Sequence, residues 1–180
     1  LGMDPVIEKI PIKEKNVEKK ILKFYAKILS ACKAEQQLPG AVKPNYAFFA
    51  QYGFPGLRAL KKVIELAKKE RLPCIFDGKR ADIGKSSEAY AKEVFEFWKA
   101  DAVTVNPYLG TDSVMPFVKF SEQHGKGVYV LARTSNLGAN DFQSLQISGK
   151  KLHIIVAGKI LDWAKQAKGN LGAVVGATSP

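Results

Sequence analysis

Pro73-Cys74-Ile75-Phe76-Asp77-Gly78-Lys79-Arg80-Ala81-Asp82-Ile83-Gly84-Lys85-Ser86-Ser87 is the stretch from which the rest of the chain is read. Its first four residues form a short apolar run of the kind that makes a buried parallel strand. The run leads directly into three charges, Asp77, Lys79 and Asp82. In an extended segment side chains alternate faces, so Asp77 and Lys79 point the same way and emerge together where the strand ends. Gly78 and Gly84 let the backbone turn, and Ser86 or Ser87 is placed to cap a helix that turns Glu88, Tyr90, Val94, Phe97 and Trp98 inward. The expected order is strand, charged turn, helix. Taken alone, the three charges fit a surface ion cluster on a turn equally well.

Outward from that stretch the chain repeats the same alternation. Val17, Ile21, Phe24, Tyr25, Ile28 and Cys32 recur with a helical period between Glu14 and Gln36, closed by Leu38-Pro39-Gly40. Ala41-Val42-Lys43 reads as a second strand. Lys43 stands between Val42 and Pro44, so if buried it needs a carboxylate, and Asp77 is the natural partner. Gly53-Phe54-Pro55-Gly56 reads as a turn before a helix carrying Leu57, Leu60, Ile64 and Ala67. Ala102 to Asn106 is a fourth strand, followed by Thr111 or Asp112 as cap of a helix with Val114, Phe117, Val118 and Ser121 inward. Val128 to Leu131 is a fifth strand. Leu152 to Lys168 is a helix with Ile154, Ala157, Leu161 and Ala164 inward, and Ala173 to Ala177 a sixth strand. His124 and His153 are read as structural.

Such alternation calls for α/β architecture with a parallel sheet and helices outside it. Asp4, Lys43, Asp77, Lys79, Asn106, Ser135 and Thr178 all fall at carboxyl ends of strands, the face on which a (β/α)8 TIM barrel carries its active site. Such barrels run to about 250 residues, whereas six strands are counted in 180 residues. The barrel is therefore read as one domain, 1–180, incompletely represented at both ends.

Composition narrows the function. With 46% hydrophobic side chains the chain can bury a core, and no apolar run or signal-like segment approaches a membrane span, so a cytoplasmic protein without membrane contact is expected. Cys32 and Cys74 lack zinc-ligand spacing and read as buried thiols. The net charge of +11 raises nucleic acid as a partner. The lysines are scattered along helices, however, which describes a solvated outer face, and no nucleic acid partner is expected.

The pattern D-x-K-x-x-D-I, written by Asp77, Lys79, Asp82 and Ile83, resembles the signature of the orotidine 5′-phosphate decarboxylase family. LGMDP (Leu1 to Pro5), AVKPNYAFF (Ala41 to Phe49), VTVNPYLG (Val103 to Gly110), LARTSN (Leu131 to Asn136) and AVVGAT (Ala173 to Thr178) are similar to further family motifs in the same order. The resemblance implies cofactor-independent decarboxylation of orotidine 5′-monophosphate to uridine 5′-monophosphate, the last step of de novo pyrimidine biosynthesis. Lys79 would stabilise and then protonate the C6 carbanion, with Asp77 beside the departing carboxylate. Lys43 would bridge Asp77 and the ribose. Asp4, which alone would read as a turn residue before Pro5, would bind the ribose. Asn106, Ser135 and Thr178 would complete the substrate contacts, Ser135 reading the pyrimidine edge. Asp82, Ile83 and Ser86 would reach the neighbouring site of a homodimer. No metal or organic cofactor is implied. Two further strand–helix units, carrying the glutamine and arginine that grip the phosphate, would follow the sixth strand.

Three rivals accompany this reading: a magnesium-dependent sugar-phosphate lyase or synthase of the same superfamily, a non-catalytic basic module, and an inactive fragment. The magnesium enzymes are expected to add an acidic ligand at the end of the second strand, where this chain has Lys43 and Asn45.

Overall fold

The computed structural model describes residues 1–167 and 170–177, and its contacts fall into two compact units: Leu1–Gly78 with Trp98–Asp101, and Lys79–Phe97 with Ala102 onward. In the first unit β1 (Gly2–Met3) precedes α1 (Val17–Ala34), β2 (Lys43–Pro44), α2 (Tyr46–Ala50), α3 (Gly53–Lys69) and β3 (Ile75–Arg80), which crosses into the second unit after Gly78. β1 and β2 run parallel, Gly2 opposite Lys43 and Met3 opposite Pro44. Parallel bridges from Val42 to Cys74 and from Asn45 to Asp77 add β3 to them.

The core of this unit follows from two apolar helix faces and alternate strand residues. Met3 and Phe76 are buried from the strands, Val42 and Cys74 from the bridge that precedes β2 and β3, Ile21, Tyr25 and Leu29 from α1, and Leu60, Val63 and Ile64 from α3. Full burial of one such aliphatic or aromatic side chain contributes about 1.5–3 kcal/mol. Phe76 stacks on Trp98 with ring centroids 5.9 Å apart. Cys74 is buried as expected, whereas Cys32 is only half-buried.

Glu18, at the start of α1, ties that helix to α3: its carboxylate accepts from Lys62 Nζ at 2.6 Å and from Arg58 Nε at 2.7 Å. The hydrogen bond from Lys62, then that from Arg58, holds the Glu18 carboxyl below the ordinary carboxylate value of 4.5. A depressed folded-state value means that the stabilisation is present above the ordinary value and disappears as pH falls through the folded one. Glu18→Gln is therefore expected to flatten the loss of thermal stability between neutral and acid pH. Melting curves with the same pH slope in variant and parent would refute this.

The second unit contains the end of β3, then α4 (Gly84–Lys92), a π-helical turn (Glu93–Phe97), β4 (Ala102–Val105), α5 (Thr111–His124), β5 (Gly127–Arg133), α6 (Ala139–Phe142), a hairpin of β6 (Gln146–Ile147) and β7 (Lys150–Lys151), α7 (Leu152–Gln166) and β8 (Leu171–Val175). The strands lie in the order β3-β4-β5-β8. β4 and β5 run parallel with Val103 opposite Val128, and β5 and β8 run parallel with Val128 opposite Leu171. β4 is buried along its whole length, as a strand covered on both faces must be. Trp163 of α7 is buried and donates its indole N–H to Thr111 Oγ1 at 3.2 Å.

Several local expectations are corrected. β3 does not end at Phe76 but continues through Asp77, Gly78 and Lys79 to Arg80. Partners exist that far along, since Asn45 bridges Asp77 and the Asn106 N–H reaches the Arg80 carbonyl at 2.9 Å. The turn comes later, with Gly84 at a φ of 49°. Neither serine caps α4: Ile83 is the N-cap, and buried Ser87 directs its hydroxyl to the Ser113 carbonyl at 2.7 Å and the Asp82 carbonyl at 3.0 Å. Phe95 is buried and Phe97 exposed, because the π turn shifts the helical phase. Gly110, not Thr111 or Asp112, is the N-cap of α5. In α7 the inward residues are Ile160 and Trp163, while Ile154 and Leu161 are exposed. Gly53 to Gly56 is not a turn but the first turn of α3, a position that tolerates Pro55 because its missing N–H has no intrahelical partner there.

Candidate active site

In the first unit the parallel pairing sets two side chains against each other. Lys43 in β2 and Asp77 in β3 project from neighbouring strands, and Lys43 Nζ donates to Asp77 Oδ2 at 2.5 Å. Asp77 is 6% exposed and Lys43 42%, so a buried carboxylate is held by an ammonium whose outer side meets solvent. Here the sequence expectation of a Lys43–Asp77 pair is met. Asp4 stands exposed just past the end of β1, and after burial its charge is the second influence that raises the Tyr25 hydroxyl above its ordinary value.

In the second unit Lys79 is exposed near the end of β3, with a φ of 44°. Its N–H donates to Thr104 Oγ1 at 3.0 Å. Arg80 beside it holds Glu93 through two bonds from one nitrogen, 2.7 and 2.9 Å, and lies 4.8 Å over the Tyr90 ring. Asp82 accepts the Ile83 N–H at 2.8 Å and borders a shallow depression with Ser86 and Tyr90. Ile83 is 56% exposed and Ser86 is also exposed.

At the ends of β4 and β5 a cavity of about 760 Å³ is lined by Asn106, Tyr108, Thr134, Phe142, Gln143 and His153 among others. Apolar walls with a few polar groups suit a small organic ligand. Asn106 Oδ1 accepts the Tyr108 N–H at 3.0 Å, which fixes the loop leaving β4. Gln143 clamps Thr134 from both ends of its amide, accepting from the Thr134 N–H at 2.9 Å and donating to its hydroxyl at 2.7 Å. His153 Nδ1 lies 2.8 Å from the Gln143 carbonyl, in keeping with its structural reading. Arg133 braces the same loop through Asn140 at 2.9 Å. Ser135 is exposed beyond it, against Gly176, where an added Cβ would sit 3.3 Å from the Ser135 nitrogen. Thr178 lies outside the described residues.

Thr104, Arg80, Glu93 and Gln143 were not singled out by sequence reasoning. Only Thr104 left a signal, as the one hydroxyl in a wholly apolar strand. Among the described residues no group of three or more His, Cys, Asp or Glu side chains is arranged to hold a metal ion, and no helix is long and apolar enough to cross a membrane.

Parallel strands alternating with helices, with polar residues at the strands' carboxyl ends within each unit, are those of the α/β class to which the (β/α)8 barrel belongs. Residues 25–180 match the model of the orotidine 5′-phosphate decarboxylase / HUMPS family, and the chain belongs to that family. It is 38% identical to orotidine 5′-phosphate decarboxylase of Caldicellulosiruptor bescii, over 99% of this chain and 67% of that protein. With the enzyme of that name from Roseiflexus sp. it shares 41% identity, over 100% of this chain and 63% of the other. Among solved structures, a putative orotidine-monophosphate-decarboxylase from Toxoplasma gondii superposes with a TM-score of 0.86 at 34% identity, covering 99% of this chain and 65% of that one. UMP synthase of Leishmania donovani gives a TM-score of 0.84 at 35% identity, over 99% of this chain and 37% of the other. The chain thus spans about two thirds of the length of the curated relatives it matches.

Proposed function

We propose that this protein, as one barrel domain, decarboxylates orotidine 5′-monophosphate to uridine 5′-monophosphate without a metal or organic cofactor, in pyrimidine biosynthesis. The observation that carries the reading beyond family membership is the Lys43–Asp77 pair. An ammonium stands at the end of the second strand, where the magnesium-using reading calls for another acidic ligand, and it occupies a carboxylate oxygen that a metal would otherwise take. The magnesium reading is therefore the weaker one.

The chemistry follows from the charge that must be handled. The bond from C6 to the carboxylate breaks, carbon dioxide leaves, and the electron pair remains on C6 with no carbonyl placed to accept it. A fixed cation at that carbon lowers the barrier most, and Lys79 is assigned that role; a proton then passes from its Nζ to C6. Asp77, held by Lys43, faces the substrate carboxylate, and their repulsion fades as neutral carbon dioxide forms. This contribution ranks below that of Lys79. Asp4 and Lys43 hold the ribose, and Asn106, Ser135 and Thr178 meet the remainder of the substrate. Asp82, Ile83 and Ser86 are assigned to the neighbouring site of a homodimer. Supporting this, Ile83 is an exposed apolar side chain beside an Asp82 that forms no ion pair among the described residues.

One experiment tests both parts: loss of orotidine monophosphate followed spectrophotometrically, with excess EDTA, across a dilution series of the protein. Turnover that survives chelation and falls per subunit at concentrations where sedimentation shows monomers is expected. Turnover abolished by EDTA and restored by magnesium would overturn the metal-free reading, and constant specific activity in the monomer would overturn the shared site.

A further inference from the structure

Five non-glycine residues among those described have positive φ: Gln36, Arg71, Lys79, Lys99 and Ser148. Gln36, Arg71 and Lys99 follow helices, and Ser148 lies in the turn between β6 and β7, places where the left-handed conformation is ordinary. Lys79 alone adopts it inside a strand, at 44°. A side chain with a Cβ enters that region at a cost of about 1–3 kcal/mol and remains there only where surrounding groups fix it.

One group that meets the Lys79 backbone is a hydroxyl in an unusual place. β4 reads Ala102-Val103-Thr104-Val105, all buried, and Thr104 is 4% exposed. Valine has the same shape and fits a strand covered on both faces, so shape does not account for the hydroxyl. The hydroxyl accepts the Lys79 N–H at 3.0 Å. A buried acceptor holding that N–H fixes the peptide plane before Lys79, and with the Arg80 carbonyl held further along by the Asn106 N–H at 2.9 Å the torsions between the two anchors, and with them the direction of the Lys79 Cα–Cβ bond, are restricted.

We infer that Thr104 is a positioning residue: its hydroxyl locks the Lys79 backbone in the left-handed conformation and so determines where the Lys79 ammonium stands. The inference rests on the decarboxylase reading for its catalytic consequence. Lys79 carries a long flexible stem on an exposed strand end, and a fixed starting vector narrows the volume its Nζ samples. Misplacement of a reacting group by about 1 Å costs on the order of 100-fold in rate. The substrate's remaining contacts are made elsewhere, so ground-state binding depends little on this lock.

The test compares Thr104→Val, which keeps the shape and removes the acceptor, with Thr104→Ser, which keeps the acceptor. Thr104→Val is expected to lower kcat for orotidine monophosphate about 30- to 100-fold with KM changed less than about 3-fold. It should bind uridine monophosphate like the parent, yet lose affinity for a uridine monophosphate analogue bearing an ionised oxygen at C6, which needs the ammonium in place. Thr104→Ser should recover most of the rate. Amide hydrogen exchange at Lys79 should accelerate in Thr104→Val and not in Thr104→Ser. A Thr104→Val protein that is merely less heat-stable, with parental kcat and parental affinity for the charged analogue, overturns the inference while leaving the functional reading intact. If the unsubstituted protein does not turn over orotidine monophosphate, the functional reading fails by itself. The exchange measurement still decides the lock: acceleration confined to Thr104→Val supports it, and equal exchange in the three proteins overturns it.

Discussion

Lys79→Ala is expected to lower decarboxylation of orotidine monophosphate by about 10⁴-fold or more while the protein remains folded. The size follows from two functions lost together. A positioned general acid contributes about 10²–10⁴-fold, and a cation aimed at developing charge contributes at least about 10²-fold. The effects overlap in one side chain, so the loss falls well short of the largest product, about 10⁷-fold. The fold is expected to survive because alanine keeps the Cβ: the left-handed φ of 44° is as costly for alanine as for lysine, and Lys79 is exposed. Its N–H, which bonds Thr104, is unchanged by the substitution. Lys79→Arg restores charge without restoring the acid, since a guanidinium does not release its proton, and should remain nearly inactive. The informative pair of measurements is single-turnover rate and affinity for uridine monophosphate. Decarboxylation within about tenfold of the parent would remove Lys79 from the role assigned to it.

How far such a site is legible beforehand depends on which forces fix each residue. Lys43 and Asp77 were legible because both rules that place them are local: a lysine in an apolar run needs an anion, and parallel strands bring their carboxyl ends together. The five later parallel strands were legible for the same reason, as apolar runs between helical patterns. The inward face of α7 was not, because its sequence, LHIIVAGKILDWAKQ, carries two apolar stripes, and only packing selects the one containing Ile160 and Trp163. Phe95 and Phe97 exchanged places because a π turn has no signature at that level. The conformation of Lys79 was hidden for a stronger reason. It depends on a hydrogen bond to a residue 25 positions away, and no rule of spacing connects them.

Gly56 shows the same limit from the side of stability, and Gly56→Ala is expected to destabilise the protein by about 3 kcal/mol. Glycine next to proline ordinarily marks a loop, and Gly53-Phe54-Pro55-Gly56 invites that reading. The structure uses its two glycines differently. Gly53 has a φ of 62°, a conformation that favours glycine. Gly56 has an ordinary helical backbone, and what it supplies is room: a Cβ there would sit 1.9 Å from the Phe49 carbonyl oxygen and 3.0 Å from Tyr52 Cβ. The obstacle is backbone, so no side chain can rotate to relieve it. α2 must move away from α3, and Phe49, fully buried, must move with it. Helix propensity favours alanine over glycine by about 1 kcal/mol, which offsets only part of the clash. At about 2–4 °C per kcal/mol for a chain of this size, the melting temperature should fall by about 6–12 °C. Gly53→Ala is the control, since nothing lies within 4 Å of its added Cβ and only the conformational cost of about 1 kcal/mol remains. If Gly56→Ala melts within a degree or two of the parent, α2 is free to slide, and the close approach at Phe49 is not what this glycine is there to allow.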